Sequence, residues 1–406
     1  MKIRFYHVIV MRQPLFYSAI PAATLLLLLA LVAAPASSAP TPLGIYGLPE
    51  ERWDATGRVH ILPCVPGVTA TASFFDNAEP PVLYVNPGDI VIVETCYHHL
   101  DQNIPGVTIE QILKWHAEAK AKTLNYTYAW PGGPNKEEGH HTLTGPIYVR
   151  GAEPGDVLEI RYLDFYIKPY GFQEMLPGAP TVPELAGNGS IWWYFLDIYG
   201  KKSEVAPGVV IPFRPHPGVV GVALPEPGHY SGVAPGKHGG NIDTPDRTIG
   251  TIEYIPVWVR GALLKIGDFH VAQGYGEVTT SALEGAAWIV MKIDVRKDIK
   301  LTQPMMSTVD KWIVFGFDTD LDAALKKAVV NAVNFIVWNY GLDRQTAYAV
   351  ASMAVDFVIN EACNMMLSVQ ANIPKAIFVG YPHRNTLTLP SGPAAPGIVA
   401  SDSFIR

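Results

Sequence analysis

Apolar and polar positions alternate along much of the chain between residues 58 and 296, a pattern typical of half-buried strands. Two short apolar runs, residues 82–85 and 90–93, flank a turn with the sequence Asn-Pro-Gly-Asp. Strand-like runs flank a second Pro-Gly-Asp turn, at residues 154–156, in the same way. Because proline presets φ and glycine accepts positive φ, we interpret both segments as hairpins, with Asp89 and Asp156 as turn formers.

Helical spacing replaces the alternation in three places. Residues 109–117 predict a helix or a loop excursion. Residues 320–338 predict a helix that Gly341 ends, and Asp343 predicts the N-cap of a second helix running to about residue 360.

The stretch from residue 170 to 229, rich in Pro, Gly and aromatic residues, predicts a long irregular connection. Such a connection either lines a binding cleft or fills the seam between two β units.

The composition supports a β-rich fold, because 36 Gly and 35 Pro in 406 residues favour many short strands. The predicted fold class is mainly β, with sandwich-like or barrel-like units and a small α/β C-terminal subdomain. We predict three regions: a signal peptide at residues 1–39, a β-rich region carrying the site at 40–300, and a C-terminal part at 301–406. The last would pack two helices on the β core.

The N-terminus has the order of an export signal. Lys2, Arg4 and Arg12 precede an apolar run at residues 19–34, and small residues follow up to residue 39. The apolar run, about 16 residues, is shorter than the roughly 20 that a spanning helix needs. We therefore predict a secreted or extracytoplasmic protein without stable membrane insertion after cleavage, and an uncleaved anchor is the alternative.

The net charge limits the class of binding partner, and the cysteine content limits the disulfides that can form. The net charge of −7 comes without a basic run, which argues against nucleic acid as a partner. Three cysteines allow at most one intramolecular disulfide. Cys64 and Cys96 are the candidate pair because they lie nearest in sequence, and buried unpaired thiols are the alternative. The sequence is also compatible with a homodimer.

Residues 239–277 place ionisable side chains beside glycines, which let the backbone turn tightly and approach a ligand. Asp268 and His270 share one face of an extended segment because strand side chains alternate. With Asp243 they form an O,O,N ligand set that zinc and similar metals accept. The alternative is structural: aspartates that cap turns and a hydrogen-bonded core histidine.

Such a ligand set could serve hydrolysis, for example of an amide, which needs an activated water and a proton for the leaving nitrogen. Glu277 is the candidate general base and acid. His141 and Gln273 are candidates to polarise or orient the substrate, and His238 and Asn241 are candidates to bind it.

Three ordered blocks resemble the signatures of the acetamidase/formamidase family. They are TGPIYVRGAEPGDVL at residues 144–158, HGGNIDT at 238–244, and the PV, GAL, GDFH, AQG and GEV elements within 256–278. The resemblance runs from about residue 53 to the C-terminal helices. It implies a mostly β architecture with a small α/β C-terminal part, and hydrolysis of short amides to a carboxylate and ammonia. The matched site positions are Asn241, Asp243, Asp268, His270, Gln273 and Glu277.

The chain departs from the family pattern at three points. Phe269 and Tyr275 stand where glycine and aspartate are usual, and we expect both to shape the substrate pocket. Thr279-Thr280 replaces a common Cys-Gly, so either no thiol nucleophile is needed or activity has been lost. The predicted function is an exported, metal-assisted amidase for a formamide-like or acetamide-like substrate, with zinc as the metal and calcium as an alternative structural ion. Alternative interpretations are a non-catalytic secreted protein that binds a small ligand, and a lactam hydrolase.

Overall fold

The computed structural model describes residues 57–122, 139–364, 366–381 and 387, so the predicted signal peptide lies outside the described residues. The helices are α1 (Ile109–Lys122), α2 (Leu321–Tyr340) and α3 (Arg344–Ala354), with a four-residue helical turn at His98–Asp101 that contains left-handed residues and single 3₁₀ turns at Pro183–Leu185 and Lys375–Ile377. The strands are β1 (Val59–Leu62), β2 (Ala70–Phe75), β3 (Leu83–Val85), β4 (Ile90–Glu94), β5 (Gly139–Val149), β6 (Val157–Ile167), β7 (Tyr170–Met175), β8 (Ser190–Phe195), β9 (Lys202–Ala206), β10 (Val209–Pro212), β11 (His216–Gly221), β12 (Tyr230–Ser231), β13 (Gly239–Asn241), β14 (Ile252–Pro256), β15 (Leu264–Ala272), β16 (Leu283–Gly285), β17 (Ala287–Arg296), β18 (Met305–Ser307), β19 (Lys311–Asp318), β20 (Asp356–Glu361) and β21 (Leu367–Pro374).

Two large sheets dominate the described part of the chain. One has nine strands in the order β1-β4-β17-β6-β14-β18-β19-β21-β20. The other has ten, with β12-β2-β5-β15-β16-β7-β8 as its main path; β11 pairs with β13 and β15, and β3 pairs with β5. Strands β9 and β10 form a separate ribbon.

A common core joins the two sheets. It contains Ile160 and Ile289 from the nine-stranded sheet and Ile147 and Ile266 from the ten-stranded sheet, all fully buried. Burial of apolar side chains from two facing sheets is the arrangement of a β-sandwich. The predicted β-rich fold class is confirmed.

The two Pro-Gly-Asp turns connect the sheets, so the predicted hairpins are wrong. Strand β3 pairs with β5 in the ten-stranded sheet, whereas β4 pairs with β1 and β17 in the nine-stranded sheet. Strands β5 and β6 are divided between the sheets in the same way. Each turn is therefore an arch that carries the chain across the core. The turn-forming role of the aspartates is confirmed: Asp89 accepts from the backbone N–H of Asn86 at 2.8 Å, and Asp156 from that of Glu153 at 3.0 Å.

The C-terminal helices pack on the end of the nine-stranded sheet formed by β18, β19, β21 and β20. Asp320 caps α2 through the N–H of Ala323 at 2.8 Å, and Gly341 ends it in the left-handed conformation, as predicted. Asp343 caps α3, also as predicted. The predicted end near residue 360 is wrong, because α3 stops at Ala354 and the next residues form β20, which pairs with β21. The domain boundary at residue 300 stays a prediction.

The stretch from residue 170 to 229 is also different from the prediction. It contains strands β7 to β11 instead of a long irregular connection. The aromatic residues divide between packing and exposure: Trp193 packs on Phe172, while Phe195 is 73% exposed.

Cys64 and Cys96 form a disulfide with a Cα–Cα distance of 5.7 Å, so the candidate pair is confirmed. It ties the end of β1 to the end of β4. Cys363 is a free, partly buried thiol. Within the described ranges, no helix is both long and apolar enough to cross a membrane.

Candidate active site

Strand β15 carries two of the predicted site residues on one face. Asp268 and His270 project into the same space, as their spacing predicts, and His270 Nε2 lies 3.4 Å from Asp268 Oδ2. Phe269, between them, faces the opposite way and is fully buried in the sandwich core, with its ring edge-on to Phe165. The structure therefore places Phe269 behind the site residues.

Asp243, just after β13, adds a second carboxylate. Its Oδ1 lies 4.0 Å from His270 Nε2. The residue is only 1% exposed, and neither carboxylate oxygen has a hydrogen-bond partner among the described residues. A buried carboxylate without a partner is strongly unfavourable, so a cation fits the position well.

Two glutamates complete the acidic side of the site. Glu277, on the turn after β15, has its Oε1 3.8 Å from His270 Nε2. Glu284 in β16 has its Oε2 3.3 Å from the same nitrogen. Its other oxygen accepts from the backbone N–H of Ala282 at 2.7 Å, which fixes the carboxylate in place.

The Gln273 side chain holds two of these residues. Its Oε1 lies 2.8 Å from His270 Nδ1, and its amide nitrogen donates to the backbone carbonyl of Asp243 at 2.8 Å. With the proton assigned to Nδ1, His270 donates to Gln273 and keeps the Nε2 lone pair directed at the carboxylates. Fixing the tautomer of a ligating histidine through its other nitrogen is a recurrent feature of metal sites.

Two further histidines contact Asp268. His98 Nε2 lies 2.8 Å from Asp268 Oδ1 and 3.5 Å from Glu284 Oε2. His141, on β5, has its Nε2 3.7 Å from Asp268 Oδ2. Asp268 is therefore in contact with three histidines.

Gly218 leaves room for these side chains. A Cβ at this position would lie 2.5 Å from Asp243 Oδ1 and 2.6 Å from Asp268 Oδ2. The fully buried guanidinium of Arg247 donates to the backbone carbonyls of Pro217 and Gly218 and pairs with Glu253 at 2.9 Å. This holds the glycine backbone against the carboxylates.

Three site residues have a left-handed backbone. Asp243, Asp268 and Glu277 have φ values of 44°, 56° and 41°. Non-glycine residues adopt this conformation at an energetic cost, and such residues cluster at functional sites.

The geometry yields three overlapping groups whose ligand atoms lie within 4.8 Å of one another: His98, His141 and Asp268; Asp243, Asp268 and His270; and His270, Glu277 and Glu284. The predicted ligand set is the second of these groups. The described residues can thus hold a metal ion.

Burial and neighbouring charges together shift the pKa values of the carboxyl groups in opposite directions. Burial raises the pKa of Asp243 to about 7. Burial and then repulsion from Asp243 raise the pKa of Glu277 well above its usual range. Burial also acts to raise the pKa of Asp268, but the neighbouring His141 and His270 outweigh it and hold that pKa well below its usual range. Carboxyl groups with opposite shifts in one pocket are typical of acid–base chemistry.

Comparison with known proteins agrees with the motifs. The model of the acetamidase/formamidase family matches residues 136–230 and 228–379. The chain belongs to this family.

Relatives of this amidase are divergent. A formamidase of Methylophilus methylotrophus is 26% identical over 289 residues, which cover 53% of this chain and 70% of the relative. An acetamidase of Mycolicibacterium smegmatis is 27% identical over 288 residues, covering 49% and 70%. The crystal structure of an acetamidase from Bacillus halodurans superimposes with a TM-score of 0.68 at 27% identity, covering 79% of this chain and 98% of that one. The predicted enzyme class, a hydrolase of carbon–nitrogen bonds in linear amides, is confirmed.

The remaining predicted residues of the amidase make contacts of their own. His238 is fully buried with its ring edge-on to Phe75. Asn241 ends β13, two residues before Asp243, and is 1% exposed. The Tyr275 hydroxyl donates to Asp246 at 2.7 Å. Phe269 and Tyr275 therefore make their contacts outside the carboxylate–histidine cluster.

Sequence reasoning missed His98, Glu284 and Glu361. Glu361 is fully buried at the end of β20, which forms a bridge with Gly276, and burial followed by the charge of Asp243 raises its pKa well above the usual range. Two signals were present in the sequence. His98 lies five residues after the end of a predicted strand, and Glu284 precedes a glycine, as the site acids often flank glycines.

Proposed function

We propose that this protein is an exported amidase that hydrolyses short-chain amides, such as formamide or acetamide, to the carboxylate and ammonia with the assistance of a divalent metal ion. Family membership supports the reaction. The relatives' names support the substrate class.

One observation carries the metal proposal. Asp243 is buried beside Asp268 and His270, yet neither of its carboxylate oxygens has a hydrogen-bond partner within the described residues. Gly218 keeps the adjoining space clear, since even a methyl group there would lie within 3 Å of both carboxylates. A buried carboxylate with no hydrogen-bond partner, close to a histidine nitrogen, is well suited to a cation.

Zinc suits this donor set better than calcium. The set combines an imidazole nitrogen with carboxylate oxygens, and imidazole is a good zinc ligand, whereas calcium takes oxygen ligands only. When bound, such an ion acts as a Lewis acid on the amide carbonyl and lowers the pKa of water at the site.

The position of Glu277 supports a role in moving the proton that hydrolysis requires. Its carboxylate lies beside His270, and the whole residue is 8% exposed. It would accept a proton from the attacking water and donate it to the departing nitrogen, so that ammonia leaves instead of an amide anion. The hydrogen bonds of Gln273 to His270 and to the backbone of Asp243 would hold these two residues in position during these steps.

Burial of the site supports a small substrate. Asp243, Asp268 and His270 are at most 2% exposed. A one-carbon or two-carbon amide fits such surroundings without displacing the sheets, whereas a long acyl chain would have to open them.

The test is ammonia release from formamide, acetamide and propionamide by metal-replete protein, before and after treatment with a chelator. We expect release that chelation abolishes and zinc restores. A γ-lactam, followed by chromatography of the ring-opened product, tests the lactam alternative. A folded, metal-replete sample that cleaves none of these substrates would favour the ligand-binding alternative.

Variants test whether Asp268 and His270 act as a unit. We expect Asp268→Ala and His270→Ala each to abolish most turnover, and the double variant to lose little more, because residues acting together are non-additive. Additive losses would mean that the two side chains act independently.

Export is tested separately. The N-terminal order of basic, apolar and small residues supports cleavage near residue 36. N-terminal sequencing of protein from the native host should therefore begin close to Ser37. A soluble cytosolic protein that retains Met1 would contradict export.

A further inference from the structure

Asp268 directs its two oxygens at different histidines. Its Oδ1 lies 2.8 Å from His98 Nε2, whereas its Oδ2 lies 3.4 Å from His270 Nε2 and 3.7 Å from His141 Nε2. Two of the three-residue groups that could hold a metal share Asp268 and no other residue. A carboxylate in this position can bridge two ions.

Both contacts that Asp268 makes within the second group are short enough for a shared ion. Two ligand atoms that bind one zinc ion at about 2.1 Å can lie no more than about 4.2 Å apart. The contacts of Asp268 with His98 and His141, at 2.8 Å and 3.7 Å, are both within this limit.

Charge balance favours more than one cation. Asp243, Asp268, Glu277 and Glu284 are all buried in one cluster. The histidines do not offset this charge when they bind metal, since a ligating imidazole is neutral. The nearby guanidinium of Arg247 is already paired with Glu253. Glu361, buried beside the same groups, adds a further carboxyl. One divalent ion would balance the charge of only two ionised carboxylates.

The backbone around His98 is held in a costly conformation. His99, Leu100 and Asp101, which follow it, have φ values of 54°, 56° and 64°. Thr142 fixes this left-handed turn, since its hydroxyl accepts from the N–H of Leu100 at 2.8 Å and donates to the carbonyl of Tyr97 at 3.0 Å. A turn of this kind persists only where its surroundings enforce it, which is characteristic of functional positions.

We propose that the site holds two divalent cations bridged by Asp268, the second bound by His98 and His141. The inference rests on the proposed function, which supplies the first ion at Asp243, Asp268 and His270. His141 then serves as a ligand in place of the substrate-orienting role predicted from the sequence. Two-metal sites with ions about 3.5–4 Å apart occur in hydrolases, where they clamp the attacking and leaving groups.

The test is zinc content per chain after removal of metal by chelator, equilibration with Zn²⁺ and removal of free metal. We expect two equivalents in the unaltered protein, one in His98→Ala and in His141→Ala, one in Asp243→Ala, and fewer than one in Asp268→Ala. His60→Ala is the matched control, because His60 also contacts a carboxylate, Asp89 at 2.8 Å, but on the outer strand β1. It should keep both equivalents.

Electron paramagnetic resonance of the Mn²⁺-loaded protein gives an independent measure. Two ions bridged by Asp268 should be spin-coupled, and His98→Ala should show the signal of an isolated ion. One equivalent in the unaltered protein, with no coupling and no change in His98→Ala or His141→Ala, overturns the second site and leaves the proposed function intact. No bound metal alongside normal amide turnover overturns the metal-assisted function itself. Metal content and spin coupling of the unaltered protein already distinguish these results, so the proposal stays testable even if a variant fails to fold.

Discussion

At the scale of single residues, Gly218 is the position most sensitive to an added carbon. A Cβ there would lie 2.5 Å from Asp243 Oδ1 and 2.6 Å from Asp268 Oδ2. We expect Gly218→Ala to weaken metal affinity about 10–100-fold, as changes beside metal ligands commonly do. Equilibrium metal titration measures the effect. Gly274→Ala is the control, since a Cβ at Gly274 has open space and should leave affinity unchanged.

Glu277 should matter for turnover and little for stability. Glu277→Gln keeps the shape of the side chain but cannot accept a proton, so we expect kcat to fall about 10²–10⁴-fold. The melting temperature should change little or rise, because burial already raises the pKa of this carboxyl well above its usual range. A folded variant with near-normal turnover would remove Glu277 from the proton-transfer role.

Most of the site residues that the sequence motifs predicted lie together in the structure. Asp243, Asp268, His270, Gln273 and Glu277 meet within one cluster because β15 and the loops around it bring them together. The missed residues come from elsewhere. Glu284 is opposite His270 across a strand pair, and His98 enters from a turn more distant in the chain, so neither position follows from local spacing.

At the scale of elements, the glycine that ends α2 and the N-cap of α3 were predicted from the sequence because capping chemistry is local. The N-cap of α2 follows the same chemistry. Asp320 accepts from the N–H of Ala323, so we expect Asp320→Ala to lower the free energy of unfolding by about 0.5–2 kcal/mol. Thr319→Ala, one residue outside the cap, is the control. Equal losses in the two variants, measured by chemical denaturation, would mean that the hydrogen bond adds nothing.

The arches show what local chemistry leaves undetermined. A Pro-Gly-Asp turn reverses the chain whether the next strand joins the same sheet or the facing one. The choice follows from long-range pairing, here of β4 with β17 and of β6 with β14 and β17. Residues 356–361 likewise have apolar side chains compatible with a helix, and pairing with β21 decides for a strand.

At the scale of the whole molecule, metal binding should be visible in stability. A ligand that binds only the folded state stabilises it by about 2.7 kcal/mol at 100 times its Kd. We expect zinc to raise the melting temperature of chelator-treated protein, because the ion relieves the burial of unpartnered carboxylates. Differential scanning calorimetry with and without zinc is the measurement. Asp243→Asn should respond much less, and an equal response would place the stabilising ion elsewhere.

The left-handed backbone at Asp243, Asp268 and Glu277 has a consequence for the evolution and engineering of this protein. Glycine is the residue that these three positions accommodate most comfortably, so the reactive groups are held against the local conformational preference. Selection for thermostability alone would therefore favour glycine at Asp243 and Glu277, where burial disfavours the charged carboxylate, and each gain in stability would remove an acid from the site. A lineage released from its substrate should lose these acids first, while the sandwich that carries them persists.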